Sequence, residues 1–245
     1  MTQTMTATPP AAAPSRSLAA RILGVLFSPR ATYADVAANP RWLGVFLTVF
    51  LVTSAAATAF VATEVGRTAV VDQQIAQSEA YGRTVNQAQV DVLERMSANY
   101  VYLAPVFQFF GLTIGTLIVA GLAFAVFTAL LGGDATFKQV FAITAHSGVV
   151  LAALSLFTTP LAYARESVSG ATNLAVFLPF LDERSFAARM LGAIDLIYIW
   201  WMINLAIGLG VLYRKRTAPI ATSLLVIYAS IGLIIAVIKT VMSGV

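Results

Sequence analysis

Five apolar stretches, each close to the length of a membrane-crossing helix, constrain this chain more than any other feature. A helix needs about 20 apolar residues to cross a hydrocarbon core of roughly 30 Å. The windows fall near residues 42–63, 104–131, 139–163, 191–213 and 218–242. Lipid cannot hydrogen-bond backbone N–H and C=O groups, so each crossing must be helical. The expected fold is all-α: an integral membrane bundle of five transmembrane helices occupying residues 42–242. Pro105 and Pro219 suit first helical turns, where a missing N–H costs nothing. Gly132-Gly133 suits a helix stop.

The composition agrees, with 59% hydrophobic and 11% charged residues in 245. A soluble domain averages about 25% charged residues and could not hide this much apolar surface. With no cysteine, disulfides and thiolate chemistry are excluded, and a single histidine, His146, excludes a multi-histidine metal site. A net charge of +4 is too small to suggest nucleic acid. Residues 1–15 are rich in Thr, Ala and Pro, without the basic start and apolar core of a cleavable signal. They read as a disordered cytoplasmic tail.

The loops predict the orientation, because short cytoplasmic loops collect Lys and Arg. One set of loops carries Arg16, Arg21, Arg30, Arg41, Lys138, Arg214, Lys215 and Arg216 against Asp35 and Asp134. The other carries seven basic residues against eight acidic ones, among them Glu64, Asp72, Glu79, Asp91 and Glu94. This bias places the N-terminus in the cytoplasm and, after five crossings, the C-terminus outside.

Three segments are expected on or beside the membrane. Residues 16–41 should form two short helices. In the first, Leu18, Ile22 and Leu26 share a face, and two readings stand equally: a helix lying in an anionic leaflet, or one docked on the bundle. The second should end at Pro40. Residues 64–100 should form an external helical hairpin broken at Tyr81-Gly82, with Val85, Ala88, Val92 and Met96 at helical spacing. The 164–190 loop holds an apolar run, Leu174–Leu181, broken by Pro179 and too short to span. It reads as interfacial, with Phe177 and Phe180 at headgroup level, and Asp182-Glu183 as a solvated turn.

Polar groups at membrane depth are costly and mark candidates. His146 lies about 12 Å above Lys138 and Asn204 about 15 Å above Arg214 along their helices, so both fall near the midplane. A His146–Asn204 hydrogen bond between neighbouring helices would act as packing glue. Asp195 and Lys239 fall near the outer boundary, about 28 and 33 Å up their helices. They can pair or reach headgroups separately, and separate contacts are expected. Gly111 and Gly115, and Ala206 and Gly210, are small pairs at i, i+4 spacing, which permit close backbone approach within the bundle or between protomers. Trp200 and Trp201 lie inside the fourth span, where at least one should pack inward or face a neighbouring chain.

Three pieces in order complete the reading: LFSPRATYADVAANPRW before the first span, GGDATFKQVFAITAHSGVVLAAL entering the third, and IDLIYIWWMINLAIGLGVLYRKRTAPIA across the fourth. With this topology, residues 22–242 resemble the Yip family, five-span membrane proteins named for interaction with Ypt/Rab GTPases. Pro29, Thr32 and Tyr33 match its first motif, Gly133 and Phe137 its second, and Trp200, Gly208, Lys215 and Ala218 its third. The resemblance implies a cytoplasmic N-terminus and no catalytic residue. The acidic Asp-Leu-Tyr-Gly-Pro segment of trafficking members is missing, which argues against a GTPase partner. The Ala-rich, Cys-free composition is similar to bacterial members, implying an inner-membrane location.

No hydrolase, zincin or phosphate-loop motif is present. The expectation is a non-enzymatic protein with no cofactor, acting through contacts with the bilayer, a second copy of itself or another membrane protein. A small-solute transporter or channel subunit is the alternative.

Overall fold

The structure is a computed structural model that describes residues 16–168, 170, 172–178, 180–182 and 185–243. The expected N-terminal tail, Pro179 and Glu183 lie outside the described residues. The described chain is helical, with one isolated antiparallel bridge between Asn173 and Asp195.

Two short helices, α1 (Leu18–Phe27) and α2 (Pro29–Ala38), precede α3 (Leu43–Val61). Pro29 opens α2, where its fixed φ suits the first turn. Next come α4 (Glu64–Ala80) and α5 (Gln87–Ser97), which lie against each other. The α3–α4 corner depends on Gly66, whose Cβ would fall 2.0 Å from the Phe60 carbonyl oxygen. α6 (Tyr100–Phe124) begins ahead of Pro105, which sits inside the helix rather than at its start. Its last residues, Ala125–Leu130, widen into a π-helical turn that ends at Gly132, φ +67°. α7 (Phe137–Ala164) starts with a reciprocal cap between Thr136 and Gln139.

The fourth apolar window is divided. α8 (Phe186–Gly192) stops before a break, and α9 (Leu196–Leu212) begins at Leu196 instead of Leu191. The cause is local: the Asp195 carboxylate caps the Ile197 N–H at 2.8 Å, and the Asn173 bridge holds Asp195 extended. α10 (Thr217–Ser243) closes the chain.

Among the described residues, four helices are long and apolar enough to cross a membrane: α3, α6 with its π-helical extension, α7 and α10. α9, with 17 residues, is shorter. α7 is the hub of the bundle. Its N-terminal half, Val140 to Val150, is buried almost continuously, and α1, α2, α3, α6 and α9 all pack against it. α6 and α10 are largely exposed and present Leu, Ile, Val and Phe outward. Such surfaces are stable only in lipid or against another apolar chain.

Candidate functional site

α1 and α2 are docked on the bundle, packed against α7 and α9. The face of α1 turned inward carries Arg21, Gly24 and Val25, whereas Leu18 and Leu23 are exposed and Phe27 is 83% exposed. An arginine can face inward because Asp35 of α2 meets its guanidinium at 2.8 Å. The two helices close on each other through Gly24, whose Cβ would collide with the Thr32 hydroxyl at 2.1 Å. Arg16 donates to that hydroxyl at 3.0 Å.

The docking is completed at the helix ends. The last carbonyls of a helix lack intrahelical donors. In α1, the Val25 carbonyl accepts from the Asn204 side-chain amide of α9 at 3.0 Å. In α2, the Ala37 carbonyl accepts from the Gln139 amide of α7 at 2.9 Å. Asn204 uses its other end as well: Tyr33 Oη donates to Asn204 Oδ1. Burial pushes the Tyr33 phenol far above its ordinary value, so it stays a donor. Gly208 makes room for it, since a Cβ there would lie 2.5 Å from Ile143 Cγ2 and 3.1 Å from the Tyr33 ring.

Asn204 therefore does not bond to His146. α7 and α9 pack directly on each other, but Asn204 turns to Tyr33 and the Val25 carbonyl, and His146 turns to the Ala142 carbonyl of its own helix. His146, fully buried, sets Nδ1 2.7 Å from the Ala142 carbonyl. A carbonyl only accepts, so Nδ1 carries the proton and Nε2 presents a lone pair without a partner among the described residues. Beside it Ser147 donates to the Thr144 carbonyl at 2.7 Å and accepts the Trp201 indole N–H at 3.0 Å. Trp201 is thus the inward-facing tryptophan, and Trp200 is exposed.

Asp195 and Lys239 do not pair. Asp195 takes the Thr172 hydroxyl at 2.6 Å besides capping α9. Lys239 lies 5.5 Å from the Tyr81 ring centroid. Ala206 is fully buried, and a Cβ on Gly210 would stand 3.1 Å from the Lys215 carbonyl, so this small pair packs within the bundle. Around Gly111 and Gly115 an added Cβ meets nothing within 4 Å. That pair faces outward.

Two clefts flank the core. The first, of about 580 Å³, lies over α7 between α3 and α9, with Thr53, Gln108, Ser155, Thr158 and Asp195 among its walls. The second, of about 490 Å³, runs between α3, α6 and α7 and is almost wholly apolar.

An all-helical bundle with several membrane-competent helices and a docked N-terminal helix pair defines the class as an integral membrane protein built on helix packing. The chain matches the Yip1 domain family over residues 23–238, nearly its whole length, and it belongs to that family. No curated protein and no solved structure matches it.

Proposed function

We propose that this protein is a non-enzymatic, five-span Yip-family protein that organises membranes through protein or lipid contacts. On this reading α9 is the fifth crossing. Its 17 residues reach about 26 Å, and it packs between α7 and α10. The charge bias of the loops favours a cytoplasmic N-terminus, an outer C-terminus and an external hairpin of α4 and α5. Composition favours a bacterial inner membrane.

The observation that carries the proposal is the division of labour among the unusual residues. Asn204, Tyr33, Arg21 and Asp35 spend their polar groups on one another and on helix ends. The outward faces of α6 and α10 are left apolar and unpartnered. Crosslinking in native membranes, followed by purification and mass spectrometry, tests it. A reproducible membrane-protein partner or self-oligomer is expected. A bound small solute with no protein or lipid partner would refute it.

The polar cleft with Asp195 favours a second reading, a small-solute transporter or channel subunit. Under the leading reading, His146→Ala leaves the folded protein and its associations intact. Loss of solute flux in that variant, with folding preserved, would favour the second.

A further inference from the structure

We propose that the apolar groove between α3, α6 and α7 is a site for one anionic phospholipid, its acyl chain in the groove and its phosphate at Lys138. This deepens the contact reading above and rests on it, naming the lipid and the place where it binds.

The walls define the occupant. Trp42 and Phe46 of α3, Phe141 of α7 and Leu117 of α6 line the groove, and its volume of about 490 Å³ lies within the roughly 300–1,000 Å³ of small-ligand sites. Its one wall hydroxyl, on Thr113, is already donated to the Phe109 carbonyl at 2.7 Å. A guest therefore meets no polar group demanding a partner along the walls, which suits a hydrocarbon chain. The aromatic side is braced: Trp42 meets Phe141 edge to face at 5.0 Å between centroids and Phe46 at 6.0 Å. A braced wall keeps the groove open rather than letting it close on itself.

The rim supplies the headgroup chemistry. Lys138 lines the groove at the start of α7, and its ammonium has no hydrogen-bond or ion-pair partner among the described residues. Arg41 precedes Trp42 in the chain and is exposed. A lysine on the rim of an apolar slot, with an arginine next in the chain to a wall residue, complements a phosphate on a chain and disfavours a second copy of this protein, whose facing surface would need to bring its own anions. A lysine ammonium is a compact phosphate binder on a flexible stem, and a cation near an anionic leaflet contributes about 1 kcal/mol.

The test uses the full-length protein reconstituted in vesicles of equal parts phosphatidylglycerol and phosphatidylcholine, re-extracted in mild detergent, with retained lipids counted by mass spectrometry. The wild type should retain phosphatidylglycerol over phosphatidylcholine by about fivefold, the equivalent of one interfacial cation's roughly 1 kcal/mol. Lys138→Gln with Arg41→Gln should abolish that preference while lipid is still retained. Leu117→Trp, which fills the groove from the exposed face of α6, should reduce the total retained. A cooperative thermal melt like that of the wild type verifies folding of each variant, and size-exclusion elution reads its oligomeric state. Retained lipid that mirrors the vesicle composition would overturn the proposal, as would a preference unchanged by loss of both cations. So would a Leu117→Trp variant that alters oligomeric state but not lipid, which would assign the groove to a second copy. If lipid selectivity is missing while native-membrane crosslinking still captures a protein partner, this site is wrong and the broader contact reading stands.

Discussion

The Tyr33 hydroxyl donates to the side-chain oxygen of Asn204 across 171 residues of chain, and the same amide donates back to α1 at Val25. One side chain in the middle of α9 thereby ties down both N-terminal helices. Removing it leaves a buried phenol and a buried helix-terminal carbonyl without partners.

Asn204→Leu is accordingly expected to cost more than Tyr33→Phe. Each orphaned buried group costs about 1–3 kcal/mol, and Asn204→Leu creates two whereas Tyr33→Phe leaves one amide oxygen. Limited proteolysis of the detergent-solubilised protein should show faster cleavage at Arg30 or Arg41 in that order of severity. Equal cleavage in the wild type and Asn204→Leu would contradict the tie.

The Arg21–Asp35 pair should behave as a buried ion pair, its side chains 3% and 13% exposed. Arg21→Met or Asp35→Leu alone strands a charge and should destabilise by about 3–5 kcal/mol, while the double variant should recover most of the loss. Thermal unfolding of the four proteins reads the coupling. Additive losses would show that the two groups do not interact.

Gly208→Ala and Gly115→Ala should diverge although both change glycine to alanine in an apolar helix. At Gly208 the new methyl would press on Ile143 and Tyr33, an overpacking cost of about 1–3 kcal/mol. At Gly115 it meets open space, so monomer stability should hold or rise slightly. Reduced self-crosslinking in Gly115→Ala would identify the outward face of α6 as the contact surface.

Asp195→Ala should remove the cap on α9 and the Thr172 bond, with a loss of about 1 kcal/mol. Asp195→Asn keeps a capping oxygen and should lose less. Similar stability for alanine and wild type would show that another group ends the helix.

How legible this was from sequence differs by element. Hydropathy located the helices because lipid exposure demands long uninterrupted apolar runs, whereas the Thr136–Gln139 cap that starts α7 went unread although its spacing is a cap signal. The break before α9 was hidden inside the apolar window 191–213. An Asp ahead of an apolar run is a cap signal, and in a long window it is easily mistaken for a charge at the boundary. The Leu18–Ile22–Leu26 stripe of α1 was legible in part: Ile22 and Leu26 pack against the core, while the burial of Arg21 on the same helix depends on Asp35 of the next one, which periodicity within α1 cannot see. His146 and Asn204 were found by depth, yet their partners come from α1, α2 and the local backbone, so the expected bond between them did not form. Tyr33 and Gly208, singled out separately by family likeness, turn out to touch.

The central claim is that α1 and α2 are locked into the bundle. The chain has no cysteine, so Ala37→Cys with Gln139→Cys, at the α2–α7 contact, can be joined in native membranes by a short thiol crosslinker without background. The account predicts efficient intramolecular crosslinking, read as a mobility shift and a linked peptide. Failure to crosslink, with both cysteines accessible to maleimide, would contradict it.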